Sequence, residues 1–248
     1  MGVEQWISEE KAPFKGWDFS HIKNRKIDQK LPWNYNLLVK RLVGKSNSVL
    51  DMGTGGGEIF SSFAPFPLHA VATEGYKPNY AVARKRLAPL KVKVIKFSNS
   101  LTRKMPFKNE EFDLVLNRHD AFNSKEIFRI LKSNGTFLTQ QVERSNLKDL
   151  MKIFKTKPKW DNSFDSTKRS LIEAGFTIQI SKEWKGQTEF RDVGAIAYFL
   201  KNSPWIVEGF SVKKHLRYLK KLQRRRDRNE RLIFREARFV ILAKKLSN

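Results

Sequence analysis

The stretch from Val49 to Glu58 constrains this chain more than any other. Ser48-Val49-Leu50-Asp51-Met52 is a short apolar strand with one acid, and Gly53-Thr54-Gly55-Gly56-Gly57 follows directly. A strand that ends in glycines lets a ligand approach the backbone where side chains would block it. Three glycine-loop chemistries compete for such a sequence. A P-loop requires Gly, four residues, then Gly-Lys-Ser/Thr. Gly44-Lys45-Ser46 supplies that tail, but Val39 stands at the upstream glycine position and the tripeptide precedes the strand. A dinucleotide loop requires G-x-G-x-x-G, and Glu58 occupies its third glycine position. An acid there would face a pyrophosphate at a helix N-terminus, which is unfavourable. Asp51-x-Gly53-x-Gly55-x-Gly57 remains, the pattern of S-adenosylmethionine sites.

Further along the chain, apolar strands alternate with helical spacing. Leu31–Val43 reads as a helix, His69–Thr73 as a second strand, Asn79–Leu87 as a helix and Val92–Phe97 as a third strand. Phe112–Leu116 makes a fourth strand, Ser124–Leu131 a helix with Ser124 as its N-cap, and Thr136–Val142 a fifth strand. Helices near Leu147–Phe154 and Thr167–Ala174 lead to a sixth strand, Phe176–Ile180, and Arg238–Ala243 closes the series. Such alternation predicts a doubly wound α/β fold with a mostly parallel, seven-stranded Rossmann-like sheet. Residues 1–30 show no clear period and read as an irregular arm or lid. The core is then 31–181, a basic helical cap is inserted at 182–232, and 233–248 returns as the final strand of the core sheet. In the cap, Leu216, Leu219 and Leu222 would form a buried stripe with Arg224-Arg225-Arg226 facing solvent.

From Val49 to Val142 the chain resembles the class I methyltransferase family, in particular its type 11 branch. The resemblance rests on Val49-Leu50-Asp51-Met52-Gly53-Thr54-Gly55-Gly56-Gly57 and on the acidic strand end Glu74. It rests equally on Met105-Pro106-Phe107 before Phe112-Asp113-Leu114-Val115, and on Glu126–Lys132 leading to Gly135. The end of the chain, from Gly194-Ala195-Ile196-Ala197 through Pro204-Trp205 to Arg238-Phe239, is similar to a poorly characterised bacterial subgroup. The resemblance implies an enzyme that uses S-adenosylmethionine.

Asp51 would organise the glycine loop and reach the methionine ammonium, while Gly53, Gly55 and Gly57 leave room for the carboxypropyl and ribose groups. Glu74, 23 residues after Asp51 at a strand end, has the spacing of a carboxylate that accepts ribose hydroxyls; an ordinary surface acid is the alternative. Thr54, Gly75 and Asn117 complete the expected cofactor set. The resemblance places adenine beyond the third strand, where Asn99 or Ser100 would bind its exocyclic amine, although this chain has one residue more than usual before Met105.

Methyl transfer requires positioning and, for some acceptors, removal of a proton. Asn117-Arg118-His119-Asp120 follows the fourth strand, on the acceptor side in this family. His119 is the candidate base or orienting group, or else a loop-shaping side chain, and Arg118 would bind an acidic acceptor group or pair locally. Trp33, Tyr35 and Gln140 are candidate acceptor contacts, with core packing the alternative for the aromatics. Gln140 and Gln141 must point to opposite faces. The sequence here is not Asn-Pro-Pro-Tyr, so it lacks the signature of adenine-N6 methylation.

The net charge of +24, with 49 Lys and Arg against 25 acids, suits a polyanionic partner such as RNA. Lys213–Asn248 alone holds fourteen cations and three acids, which places that contact in the basic C-terminal region. Trp184, Phe190, Tyr198, Phe199 and Trp205 would either stack on bases or form the buried face of the cap. A small-molecule methyltransferase with an enclosed pocket, and an inactive RNA- or partner-binding protein, are the competing readings. The chain has no cysteine, which excludes disulfides, thiolate zinc sites, iron–sulfur clusters and methylation through a cysteine adduct. His21, His69 and His215 are scattered and no Asp/Glu/His cluster has metal-ligand spacing, so no metal is expected. With no apolar run near the ~20 residues of a membrane span and no signal-like start, the expected location is the cytoplasm.

Overall fold

The computed structural model describes residues 2–14, 16–158 and 162–247. Eight strands form the sheet, in the order β1-β7-β8-β6-β5-β2-β3-β4. Their ranges are β1 (Lys26–Asp28), β2 (Ser48–Met52), β3 (His69–Glu74), β4 (Lys93–Lys96), β5 (Phe112–Arg118), β6 (Leu131–Val142), β7 (Thr177–Phe190) and β8 (Leu232–Lys244). The mostly parallel α/β architecture expected from the sequence is present, with one strand more than the seven anticipated. The extra strand, β1, lies in the segment expected to be irregular, and it pairs antiparallel with β7 from Lys26↔Phe190 to Asp28↔Thr188.

The chain divides into two compact units. Unit 2 comprises residues 32–142, 162–183 and 238–248 and carries the parallel strands. Alternation along each strand sends apolar side chains to both faces. Leu50, Met52, Val115, Phe137, Phe239 and Ile241 enter one core. Val49, Ala72, Leu114, Leu116, Leu138 and Val240 enter the other. Helices α2 (Tyr35–Val43), α3 (Glu58–Ser61) and α4 (Lys77–Leu87) cover the second face through Tyr35, Val39, Phe60, Ala83 and Leu87. Helices α5 (Ser124–Ile130) and α7 (Phe164–Glu173) cover the first through Ile127, Ile130 and Leu171.

Several helix boundaries differ from the sequence reading, and at two helix starts the cap is the reason or the difference. α2 begins at Tyr35 rather than Leu31, because the Asn34 side chain accepts the Leu37 N–H and sets the cap there. Asn123, not Ser124, caps α5, accepting from the N–H groups of Lys125 and Glu126. The Ser124 hydroxyl instead meets that of Ser170 at 2.7 Å.

Unit 1 comprises residues 1–31, 143–161 and 184–237. It contains helices α1 (Val3–Lys11), α6 (Lys148–Ile153), α8 (Val193–Lys201) and α9 (Leu216–Asp227). The N-terminal segment is therefore ordered as helix and strand. Residues from Lys182 to Phe190, expected to be helical, continue β7. Val193 to Tyr198 on α8 are buried without interruption, as in a helix surrounded by its own core. Trp6, Phe190, Tyr198, Leu219, Leu222 and Phe234 belong to that core. The aromatic segment thus splits. Phe190 and Tyr198 are packing residues, Phe199 packs half-buried against them, and Trp205 remains 39% exposed. No described helix is long and apolar enough to cross a membrane.

Candidate functional site

The strand order fixes where a ligand can bind. From β2 the chain continues to β3 and β4 on one side, then returns to build β5 and β6 on the other. In such a sheet a crevice opens beyond the carboxyl ends of the two strands where the order reverses. Here those strands are β2 and β5, paired in parallel with Asp51 opposite Leu116 and Met52 opposite Asn117.

The glycine loop closes one wall of the crevice. Gly53, Gly55 and Gly57 all have left-handed backbone, with φ of 64°, 64° and 78°. The end of β3 holds this loop: Gly53 N–H donates to Thr73 Oγ1, Thr54 N–H to the Thr73 carbonyl and Gly55 N–H to Glu74 Oε2 at 2.8 Å. The other Glu74 oxygen accepts the Tyr76 N–H at 2.7 Å. Glu74 is buried, and burial raises its pKa despite these donors. Glu58, the acid that disqualifies a dinucleotide loop, turns away to pair with Arg86.

Two further carboxylates share the crevice. Burial pushes Asp51 up to about 7, and the charges of Asp120 and Glu74 add to the shift. Burial also raises Asp120, although its Oδ2 accepts from Asn99 Nδ2 at 2.6 Å. A Cβ built on Gly53 would stand 2.2 Å from Asp120 Oδ2, so only glycine admits this carboxylate. Four buried polar atoms without a hydrogen-bond partner belong to residues of this site: Thr54 Oγ1, Asn99 Oδ1, Asn117 Nδ2 and Arg118 Nε. Unpaired buried groups are costly and point to a missing polar partner.

The acceptor-side candidates meet in one cluster. Trp33 Nε1 donates to Gln140 Oε1 at 2.8 Å, and Gln140 Nε2 lies 3.3 Å from His119 Nε2. The Arg118 guanidinium sits 5.9 Å from the centre of the buried Tyr35 ring. Burial, with Asp51 nearby, holds the Tyr35 phenol well above its usual range. His119 adopts φ of 62° and donates its backbone N–H to the Gln140 carbonyl. Its surface is still open to solvent, yet withdrawal from bulk water inside the cleft, then the cations Arg118 and Arg238, lower its pKa well below 6.5. Gln141 points the opposite way from Gln140, towards Asn117 and the Asp120 carbonyl.

The loop after β4 behaves differently. Asn99 faces Asp120 and Thr73, whereas the Ser100 hydroxyl accepts the N–H groups of Thr102 and Arg103 and so caps its own turn. Gly75 packs against Ser98, whose Oγ would lie 2.0 Å from a Cβ there. Two residues of the site were not singled out from sequence. Thr73 carried no signal beyond its place before Glu74. Asp120 carried a weak one, an acid within two residues of the end of a strand at the reversal. Among the described residues no group of three or more His, Asp or Glu could hold a metal ion.

Residues 50–139 match the family model described as a methyltransferase domain. The methyltransferase YcgJ of Bacillus subtilis, whose function is uncharacterised, is 27% identical over 97 residues. That segment is 36% of this chain and 38% of the relative, so the alignment spans well under half of either. In three dimensions the chain is similar to a candidate methyltransferase from Bacillus halodurans C-125 (TM-score 0.60, 19% identity, 86% of this chain and 99% of that one). The YcgJ structure superposes with a TM-score of 0.60 at 16% identity over 86% of this chain and 97% of that one. A protein of unknown function from Deinococcus radiodurans R1 gives 0.57 at 16% identity over 89% and 91%. At such identities the structural likeness establishes the fold. Residues 50–139 thus carry a match to a methyltransferase domain, on a fold that these solved structures share.

Proposed function

We propose that this methyltransferase domain transfers the methyl group of S-adenosylmethionine to a nitrogen or oxygen atom of RNA. The observation that carries the cofactor part is the set of three carboxylates, Asp51, Glu74 and Asp120, gathered around a left-handed glycine loop at the sheet reversal. Crowded carboxylates with raised pKa values favour a cationic ligand, which relieves their repulsion. S-adenosylmethionine brings an ammonium and a sulfonium, and the latter makes its methyl carbon electrophilic.

The residues present fit that molecule. Each Glu74 oxygen already accepts one backbone N–H and keeps a second lone pair for a ribose hydroxyl. Asp51 and Asp120 would hold the ammonium, with Thr54 Oγ1 as a further acceptor, while Asn117 Nδ2, a donor, would meet the cofactor's carboxylate. Asn99 Oδ1, buried and unpaired, would accept the adenine amine. Gly53 and Gly55 would line the cradle without side chains, while Gly57 and Gly75 let the loops pack against Leu87 and Ser98.

On the acceptor side, Trp33, Tyr35 and Gln140 would position the group to be methylated. His119, held neutral at pH 7 by its lowered pKa, can take the proton that a nitrogen or oxygen nucleophile releases. Arg118 would steady a developing negative charge. The charge of +24 supports a polyanionic acceptor.

The experiment is incubation with methyl-labelled S-adenosylmethionine and a cell extract, followed by fractionation of the label. Label that nuclease releases from RNA is expected. Label in small molecules would make the acceptor a metabolite, and a protein that fails to bind the cofactor at all would be a binding protein on a methyltransferase fold.

A further inference from the structure

Unit 1 carries a strip of exposed aromatic and cationic side chains that the crevice in unit 2 does not use. At one end Trp17 and Trp205, 52% and 39% exposed, meet edge to face with ring centres 5.5 Å apart. Trp17 also meets Phe14 edge-on at 6.2 Å. Phe14 lines an open groove of about 650 Å³ together with Lys11, Lys201 and Lys213. Lys213 is shared with a second hollow of about 440 Å³, lined otherwise by Lys214, Leu216, Arg217 and Lys220. Tryptophans, groove and hollow are therefore contiguous.

Apart from Glu10, the charged side chains that line the groove and the hollow are cations. Glu10, the acid in the groove, is already engaged by Lys201 at 3.8 Å and by the Val212 N–H at 3.0 Å. Among the described residues, Lys213, Lys214, Arg217 and Lys220 are in no ion pair, and all four are exposed. Helix α9 buries Leu219 and Leu222 and turns Arg217, Lys220 and Arg224 outward at i, i+3 and i+7. A row of unpaired cations repels itself, and a polyanion removes that cost. Two large rings left partly in water offer faces for a flat ligand.

We propose that this strip binds single-stranded RNA, with phosphates along Lys213, Lys214, Arg217 and Lys220 and an unpaired base on the Trp17–Trp205 pair. The proposal rests on the RNA reading above and names the form of RNA. Bases in a duplex are stacked on one another and unavailable to the tryptophans. A lipid surface fits less well, because α9 exposes no large apolar side chain to enter it.

The test uses the full chain and a fluorescent unstructured 12-nucleotide oligouridylate, titrated by anisotropy at several salt concentrations. Four phosphate contacts on a single strand should lower affinity about 50-fold between 50 and 200 mM salt. Replacing Lys213, Lys214 and Arg217 together by Ala should reduce the slope of log K against log salt by about 2. Trp17→Ala and Trp205→Ala should each weaken binding about tenfold and leave the slope unchanged, while Trp205→Phe keeps most of the affinity. Equal affinity for an RNA duplex, binding to anionic phosphatidylglycerol vesicles but not to the oligonucleotide, or a slope indifferent to the triple substitution would each overturn the proposal. Calorimetry with S-adenosylmethionine on the same proteins separates the two readings. Cofactor binding without oligonucleotide binding sinks the strip alone; oligonucleotide binding without cofactor binding sinks methyl transfer.

Discussion

Asp120 Oδ2 occupies the space that a side chain on Gly53 would need, 2.2 Å from an ideal Cβ, and so ties the glycine loop after β2 to the loop after β5. Gly53→Ala should therefore suffer twice. The left-handed φ of 64° costs about 1 kcal/mol for a residue with a Cβ, and the methyl group displaces Asp120. Asp120→Gly removes only the second cost. A double-mutant cycle in urea unfolding should show Gly53→Ala to be less damaging in the Asp120→Gly background, with a coupling of about 1 kcal/mol. Additive effects would mean that the two loops are not in contact.

The pKa of Asp51 makes cofactor affinity depend on pH. A cationic ligand prefers the ionised carboxylate, and in the free protein Asp51 ionises only near pH 7. Affinity for S-adenosylmethionine should fall about tenfold from pH 8 to pH 6, and Asp51→Asn should be weak and flat over that range. Stability runs the other way. Unfolded Asp51 loses its proton near pH 4, folded Asp51 near 7, so the native state loses stability as pH rises between those values and levels off above them. At pH 8 Asp51→Asn should be more stable than the parent by about 1–3 kcal/mol, measured by denaturant titration without ligand.

Glu74 serves the loop and, in the proposed function, the ribose. Glu74→Ala leaves the N–H groups of Gly55 and Tyr76 without their acceptor and removes the carboxylate that hydroxyls would meet. Two lost charge-assisted hydrogen bonds correspond to a fall in cofactor affinity of about 100-fold. The discriminating measurement compares S-adenosylmethionine with its 2′-deoxy analogue by calorimetry. The parent protein should prefer the natural ribose and Glu74→Ala should not; an unchanged preference would place the ribose elsewhere.

These predictions draw on residues whose legibility in the sequence differed for physical reasons. Ser48–Met52 was read at its true bounds because an apolar run stops at glycines. Asp51 and Glu74 followed from their spacing across one strand–helix–strand unit. β7 was cut short at Ile180 because Lys182, Glu183, Lys185 and Gln187 carry no apolar alternation, and their strand conformation comes from pairing rather than from burial. α1 escaped notice because Trp6 is its only buried residue, and its packing against α8 depends on residues nearly 190 positions later. Asp120 reaches Gly53 only because His119 turns the chain through a left-handed conformation, which its residue type does not announce.

Unit 1 depends on a cation at Arg25. Its Nε and Nη2 donate to Asp192 at 2.8 and 2.7 Å, and its Nη1 donates to Glu9 at 2.6 Å. Asp192 in turn caps α8 by accepting the Ala195 N–H. Arg25→Met should cost about 2–3 kcal/mol by leaving two largely buried carboxylates face to face. Burial opposes ionisation of Asp192, but Arg25 prevails and holds its pKa below the usual range. The stability from this pairing is thus present at neutral pH and is lost as pH falls through that depressed pKa. The gap between parent and Arg25→Met should narrow towards pH 3; a constant gap would assign the loss to packing.

His119 decides whether the acceptor needs a base. Alanine is a poor probe, because φ of 62° disfavours it and a misplaced loop would also lower turnover. Asn tolerates left-handed backbone and cannot accept the proton, so His119→Asn isolates the chemistry. If His119 is the base, kcat should fall by 10²-fold or more with little change in cofactor affinity. The parent's kcat at saturating cofactor should stay level from pH 9 down past 6.5 and decline only below it, since withdrawal from bulk water and the cations Arg118 and Arg238 keep the imidazole neutral through that range. Full turnover by His119→Asn with the same pH profile would leave His119 as a loop residue that orients Gln140, and methyl transfer would then proceed to an acceptor that is already nucleophilic.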